Sequence, residues 1–331
     1  MQTQTGDAEK IGIVFKQNLG HYDVHHDHKT TTCVPSSMLW KDLSDHLHQA
    51  SGRVVTVVQE KQMDPIAVGD RVIFSPTPDG KGVIREVLPR RNYLARGSAR
   101  PMPGAHAFEQ VIAANLDQVI PVFAAADPTP RWHLLDRILV TAESYEIPSR
   151  IVITKADLVV GTPKENELQK VIERYQQIGY PVILTSSKTG AGVEALTTAL
   201  TSQTSVLVGK SGVGKTSLLN GIEPGLGLRV RTVNEATGKG RHTTSHLEMF
   251  TLARGGEIID TPGVREFSIV GLEPDDIQYY FPEIAPWLGR CRFGLSCQHD
   301  DEPGCAVKQA VMDGSISPYR YKSYLQLRSD L

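Results

Sequence analysis

Cysteine is scarce, four in 331 residues, too few for a disulfide framework in a chain of this length. No uninterrupted apolar run approaches the roughly 20 residues that a membrane-spanning helix needs, so no membrane partner is expected. The amino terminus, Met1 to Lys10, is polar and carries Asp7 and Glu9, lacking both the basic start and the apolar stretch of a secretion signal. A cytoplasmic protein is the default expectation. An excess of either charge is also missing. With 35 Lys and Arg against 37 Asp and Glu, the net charge of -2 excludes a global cationic field, and any grip on a phosphate backbone falls to local patches. Internal repeats and low-complexity tracts are absent from the sequence.

What is present is length and punctuation. About two or three domains of ordinary size fit. From Ile11 to about Val87, short strand-like runs at Gly12 to Phe15, Arg53 to Val58, Asp70 to Phe74 and Gly82 to Leu88 are broken by Gly69-Asp70 and by Pro76 to Gly82, which suits a small β-barrel. Lys41 to Ser51 is either a surface helix or an extended loop. Leu88 to Gly104, rich in Arg, Pro and Gly, reads as a linker. Strand-like runs then alternate with helical stretches. The runs are Gln118 to Phe123, Arg150 to Thr154, Pro181 to Thr185 and Thr204 to Val208; the helices are near Trp132 to Tyr145 and Lys164 to Ile178. That alternation implies a parallel sheet covered on both faces. Beyond Pro282 come Cys, Gly and Asp clusters and a helix near Tyr319 to Arg328.

Gly209-Lys210-Ser211-Gly212-Val213-Gly214-Lys215-Thr216 fits G-x-x-x-x-G-K-[ST] without a mismatch, after an apolar strand and before a helical stretch that starts at Ser217. Glycines let backbone N–H groups approach phosphate oxygens, Lys215 neutralises the β and γ phosphates, and the Thr216 hydroxyl holds Mg²⁺. A chance match would arise in roughly one chain of this length in a hundred. Downstream, Glu257 to Gly263 places Asp260 at the end of an apolar run before a Pro-Gly turn. It is similar to the D-x-x-G element of GTPases, in which Asp260 holds Mg²⁺ through water and the Gly263 N–H senses the γ-phosphate. Upstream, Thr154-Lys155-Ala156-Asp157 resembles the [NT]-K-x-D guanine motif, with Asp157 accepting from guanine N1 and N2 and Lys155 lying along the base or the phosphate loop. Thr154 replaces the commoner Asn. Ser186, Ser187 and Lys188 resemble the last base-contacting loop. Read singly, the last three elements are ordinary turns or helix caps.

Their order is informative. Ordinary GTPases run phosphate loop, switch Thr, D-x-x-G, [NT]-K-x-D, S-A-K, and here the last two come first. On these residues the chain resembles the RsgA/YjeQ family of circularly permuted GTPases. That resemblance implies an N-terminal OB-fold β-barrel, a central α/β P-loop GTPase domain and a C-terminal zinc-binding domain, with boundaries at 1–103, 104–282 and 283–331. The resemblance also implies a small-subunit maturation factor with GTP or GDP, the small ribosomal subunit and its rRNA as partners, acting as a monomer.

Many GTPases orient water with a Gln just after D-x-x-G, a place held here by Val264, whose apolar side chain cannot. Within Asn234 to His246, Gly240-Arg241-His242-Thr243-Thr244 resembles the family switch. It makes His242 the residue that positions water and Thr243 or Thr244, with Thr244 preferred, the switch hydroxyl on Mg²⁺.

Cys291, Cys297, His299 and Cys305 supply three thiolates and an imidazole, enough for a closed tetrahedral structural Zn²⁺ site. The family pattern C-x4-C-x-H-x5-C is matched except that the first gap has five residues. Cys33 stands apart. Arg85, Arg90, Arg91, Arg96 and Arg100 form a local basic stretch, read equally as a solvated linker or an RNA contact. Two other readings compete: a metabolic GTPase without RNA, and a zinc-stabilised RNA-binding protein whose G domain is poorly catalytic.

Overall fold

The computed structural model describes residues 9–18, 20–41, 66–97, 109–226, 247–261, 269 and 271–331. They belong to two compact units that share the chain by turns: Met1–Asp117 with Leu200–Val206 and Ala236–Gly263, and Gln118–Ala199 with Leu207–Glu235 and Val264–Leu331.

In the first unit, β1 (Lys10–Asn18), β2 (His21–His26), β3 (Lys29–Pro35), β4 (Arg71–Pro76) and β5 (Gly82–Val87) form a closed barrel. The pairings β1–β2, β2–β3, β4–β5 and β1–β4 are antiparallel and β3–β5 is parallel, so the ladder returns to its starting strand, the five-stranded OB arrangement. Alternate residues point inward, as a two-residue period requires: Val14, Tyr22, Val24, Cys33, Val72, Phe74 and Ile84 make the core with Ile66. The polar hairpin β2–β3, rich in His and Thr, shows no apolar alternation in the sequence, because only Tyr22, Val24 and Cys33 along its two strands are buried. The expected strand at Arg53 to Val58 lies outside the described residues. So does the Lys41 to Ser51 stretch apart from Lys41, which is helical together with residues 37–40.

Part of the segment read as a linker is a strand. β6 (Tyr93–Gly97) pairs antiparallel with β7 (Glu109–Ala114), and Leu94 and Ala95 are buried. Two apolar residues among Arg, Pro and Gly give too short a pattern to register as a strand. Gly69, at φ +92°, explains one turn: a Cβ there would sit 2.2 Å from the Ala114 carbonyl oxygen, so only glycine lets these two backbones meet. β12 (Glu248–Thr251) and β13 (Glu257–Asp260) form a second hairpin, and Glu248 lies opposite Lys16 of β1 with a 3.0 Å ion pair.

In the second unit, β8 (Gln118–Ala124), β9 (Ile151–Thr154) and β10 (Val182–Leu184) run parallel, and β11 (Thr204–Val208) passes from the first unit into this one at Leu207. Every residue of β8 and β9 is buried, the signature of parallel strands covered on both faces. The crossovers carry α1 (Trp132–Ser144), α2 (Pro163–Ile178) and α3 (Val193–Leu200), and α4 (Lys215–Ile222) follows the glycine loop. α2 begins with Pro163, ends at Gly179 in the left-handed region, and buries the stripe Leu168, Val171, Ile172 and Tyr175. Toward the carboxy terminus come short 3₁₀ turns, α5 (Ala306–Met312) and α6 (Pro318–Ser329). Their core contains Ile277, Phe281, Ile284, Val307, Ile316, Tyr324 and Leu327, and Val140 of α1 belongs to the same cluster. No described helix is long and apolar enough to cross a membrane.

Candidate nucleotide site and metal centre

The glycine loop lies between the end of β11 and the first turn of α4, so its N–H groups gather at a helix amino terminus, the arrangement that suits phosphate. Gly209 allows a close approach: a Cβ there would meet the Val122 carbonyl oxygen of β8 at 2.4 Å. Gly214 adopts φ +97° and caps α4. Lys215 is buried, and its ammonium donates to the Gly209 carbonyl at 2.5 Å, which curls the lysine over the loop it has to serve. Ser211 is exposed, whereas Thr216 and Ser217 are half-buried in the first turn of α4.

The Thr154–Asp157 loop is tied both to the glycine loop and to the Ser186 turn by hydrogen bonds that the sequence does not reveal. Thr154, in the place of the commoner Asn, is buried at the end of β9. Its hydroxyl donates to the carbonyl of Val213 inside the glycine loop and lies 3.2 Å from the Phe123 carbonyl. The substitution therefore keeps a tie to the phosphate loop. Lys155 takes a left-handed conformation, φ +54°, and its ammonium donates to the Asp127 carbonyl. Its Cε lies 3.9 Å from where a Gly214 Cβ would be, so its stem runs beside the glycine loop. The half-buried Asp157 carboxylate accepts from the Ser186 hydroxyl at 2.6 Å, and the Ala156 N–H donates to the Thr185 carbonyl at 3.1 Å. Ser186 is buried, whereas Ser187 and Lys188 are exposed on the same turn. Ser186 thus orients the one carboxylate to which base recognition is assigned, a role that polar-turn composition cannot announce.

Asp260 closes β13 and is half-buried. Gly263, His242, Thr243, Thr244 and Val264 lie outside the described residues.

In the second unit, Cys291, Cys297, His299 and Cys305 are all buried and their ligand atoms fall within 4.8 Å of one another. Nδ1 of His299 is 3.4 Å from both the Cys291 and the Cys305 sulfur, and these sulfurs are 3.9 Å apart. Tetrahedral zinc with bonds of about 2.3 Å to sulfur and 2.0 Å to nitrogen holds its ligand atoms roughly 3.5–3.8 Å from each other, so the four groups fit such an ion. His299 Nε2 donates to the Gln278 side-chain oxygen at 2.9 Å, which fixes the tautomer and leaves Nδ1 to face the sulfurs. Burial lowers the His299 pKa and so favours the neutral imidazole that ligates. Burial pushes the Cys297 thiol up to about 12, and coordination to a divalent cation reverses that by stabilising the thiolate. The five-residue first gap contains a 3₁₀ turn at Gly294–Ser296, with Gly294 at φ +56°, and Cys291 reaches the cluster. Gln278 is invisible to motif reading because it stands 21 residues before the histidine it orients.

Most of the arginine stretch is internally committed. Arg90 grips the buried Asp70 carboxylate through Nε and Nη2, each at 2.7 Å. Arg91 binds Asp117 at 2.6 Å and the Leu116 carbonyl at 2.8 Å. Arg96 meets Gln110 and Arg85 meets Ser75. Arg90 and Arg91 hold the barrel and its following strands together before they serve anything else, and Arg100 lies outside the described residues.

The RsgA GTPase family model matches residues 87–270. The small ribosomal subunit biogenesis GTPase RsgA of Gemmatimonas aurantiaca is 46% identical over 268 residues, covering 80% of this chain and 84% of that protein. Its namesake from Ectopseudomonas mendocina is 40% identical over 283 residues, covering 86% and 80%. Among solved structures, YjeQ from Thermotoga maritima superposes with a TM-score of 0.72 at 31% identity over 98% of this chain and 99% of that one. YloQ, described as a circularly permuted GTPase, gives 0.69 at 30% identity over 100% and 97%. With the guanine-type loops preceding the phosphate loop, and with relatives that match along most of both chains, this protein belongs to the RsgA GTPase family.

Proposed function

We propose that the chain is a GTP hydrolase that binds the small ribosomal subunit and its rRNA and acts in late subunit maturation, its turnover stimulated by the subunit. The observation that carries the nucleotide half of this reading is the convergence of three loops: Asp157 on Ser186, Thr154 on Val213, and Lys155 beside Gly214. The ribosomal half rests on the relatives, which are named for that role.

In this reading Asp157 recognises guanine, held by Ser186 and assisted by Thr154, Lys155, Ser187 and Lys188. Gly209 to Ser217 cradle the phosphates, Lys215 neutralises charge that builds between the β and γ groups, and Gly263 senses the γ-phosphate. Thr216, Asp260 and Thr244 are oxygen donors of the kind that suit Mg²⁺, which supplies charge neutralisation on the phosphates when bound. His242 accepts a hydrogen bond from the attacking water and aligns it for in-line displacement, replacing the Gln whose place Val264 takes. The Cys291, Cys297, His299 and Cys305 cluster holds one structural Zn²⁺, with no open position for chemistry. We assign 1–103 to the barrel with its linker, 104–282 to the GTPase domain and 283–331 to the zinc domain, in a monomeric cytoplasmic protein.

The test is GTP turnover by the purified chain with and without small subunits, alongside pelleting with subunits in a non-hydrolysable GTP analogue. Stimulation and nucleotide-dependent pelleting are expected. Turnover indifferent to subunits, with no pelleting, would sink the ribosomal assignment.

A further inference from the structure

The ten residues from Trp287 to Ser296 present arginines and apolar side chains to solvent around a metal ligand. Phe293 is 48% and Leu295 63% exposed, although both lie between the buried Cys291 and Cys297. The Arg290 guanidinium lies over the Trp287 ring at 5.6 Å, and that of Arg292 over the Phe293 ring at 6.0 Å. The two arginines flank Cys291, so any ion held by its thiol fixes the backbone that carries them.

Their charge is not consumed internally. Ion pairs hold Arg90, Arg91, Arg137, Arg320 and Arg328, whereas among the described residues neither Arg290 nor Arg292 meets a carboxylate. The sequence from Ile284 to His299 contains no acid at all. Of the flanking acids, Glu283 is bound by Arg320, Glu302 accepts from the N–H groups of Gln298 and Asp300, and the exposed Asp300 and Asp301 form no ion pair with Arg290 or Arg292.

We propose that this knuckle is a binding surface for an unpaired RNA strand, with the Phe293 ring and the guanidinium of Arg292 as a stacking platform and Arg290 and Arg292 as phosphate contacts. A planar guanidinium over an aromatic ring offers a flat, cationic face of base size. Uncompensated arginine interleaved with exposed aromatic side chains is the chemistry by which single strands are held without sequence reading. Charge complementarity decides the occupant: a surface made only for a protein's apolar side chains gains nothing from two arginines without counter-ions. The inference deepens the rRNA part of the proposed function and rests on it.

The test uses the full-length zinc-loaded protein and a fluorescein-labelled single-stranded RNA of about 12 nucleotides, within the span such surfaces cover. Anisotropy titrations at several salt concentrations give affinity and salt slope. Phe293→Ala is expected to weaken binding about 5- to 150-fold with little change in salt slope, the range of one lost stack. Phe293→Trp is expected to retain affinity. Arg290→Gln with Arg292→Gln is expected to reduce the slope by about 1.4, two phosphate contacts on a single strand. Zinc content and GTP affinity are measured on each variant, and the exposure of all three side chains predicts that both are unchanged. Absence of RNA binding by the unaltered protein, wild-type affinity in Phe293→Ala, or equal displacement by polyglutamate or by an RNA duplex would each overturn the proposal. Subunit-stimulated turnover separates the two levels. Stimulated wild type with an indifferent Phe293→Ala leaves the function standing and removes the knuckle; an unstimulated wild type whose RNA binding still needs Phe293 does the reverse.

Discussion

Asp157 shows how a residue's role depends on its neighbours. Its carboxylate is held by the Ser186 hydroxyl at 2.6 Å, on a turn that motif reading treats as generic. Asp157→Asn is expected to weaken GTP binding far more than binding of xanthosine triphosphate, because xanthine presents a carbonyl where guanine presents its amino group. Competition titrations with the two nucleotides check this, and equal losses would remove Asp157 from the base site. For His242 the expectation rests on the sequence alone. His242→Ala should keep nucleotide affinity and lower turnover by about 10² to 10⁴-fold, the span of a positioned acid–base group. Single-turnover hydrolysis on small subunits measures it; an unchanged rate returns His242 to an ordinary loop residue. The Asn-to-Thr departure at Thr154 is legible in the sequence, but the partner of its hydroxyl is not, since only the fold brings the Val213 carbonyl to it.

Among the elements, α6 is the one whose sequence most understates its part. Tyr319 to Arg328 reads as a polar terminal helix, yet Arg320 within it is fully buried. Its guanidinium donates to Asp136 of α1 at 2.6 Å and to Glu283 at 2.5 Å, lies 4.4 Å over the Phe281 ring, and shares Asp136 with the Tyr175 hydroxyl of α2. Burial opposes its charge, but Asp136 and Glu283 more than offset that and hold its pKa above the ordinary arginine value. A second tie joins Arg137 of α1 to Asp330 just past the end of α6. Arg320→Leu leaves two acids buried without their cation and is expected to cost about 3–5 kcal/mol. Urea unfolding followed by circular dichroism reads the loss. Adding Asp136→Asn should recover part of it, and a cost below about 1 kcal/mol would show that the network relaxes at little expense. The carboxy-terminal segment is thus welded to α1 and α2 of the same unit. Neither the pairing partners nor the burial follow from helical periodicity, because a polar helix normally faces water.

For the molecule as a whole, the four cysteines separate into two populations. Cys33 lies in the barrel core, where burial pushes its thiol up to about 12, while the other three belong to the metal cluster. A folded pKa above the unfolded value near 9 favours the protonated thiol, so this contribution to stability is intact below pH 9 and fades as pH rises toward 12. At pH 8 the zinc-loaded protein is expected to expose almost no reactive thiol. A strong chelator should release three, and only denaturant the fourth. Counting thiols with a chromogenic disulfide during these steps checks the assignment. Four reacting together would mean that metal loss opens the barrel; none after chelation would remove zinc from the cluster.

The sequence by itself determined the chemistry that is local in the chain: the phosphate loop, the guanine-type loops, the Cys/His cluster and the rotated order in which they occur. Each is a short run whose residue types are dictated by a ligand, and such runs are readable without a fold. It also indicated the barrel and the parallel sheet, because alternating and continuous apolar runs report burial directly. Only the tertiary structure decided what depends on distant pairs. It turned part of a presumed linker into β6, committed Arg90 and Arg91 to Asp70 and Asp117, gave His299 its Gln278, and buried Arg320. Hydrogen bonds and ion pairs between residues 20 to 184 positions apart leave no periodic trace, since each partner is compatible with a solvated surface until packing brings the other to it.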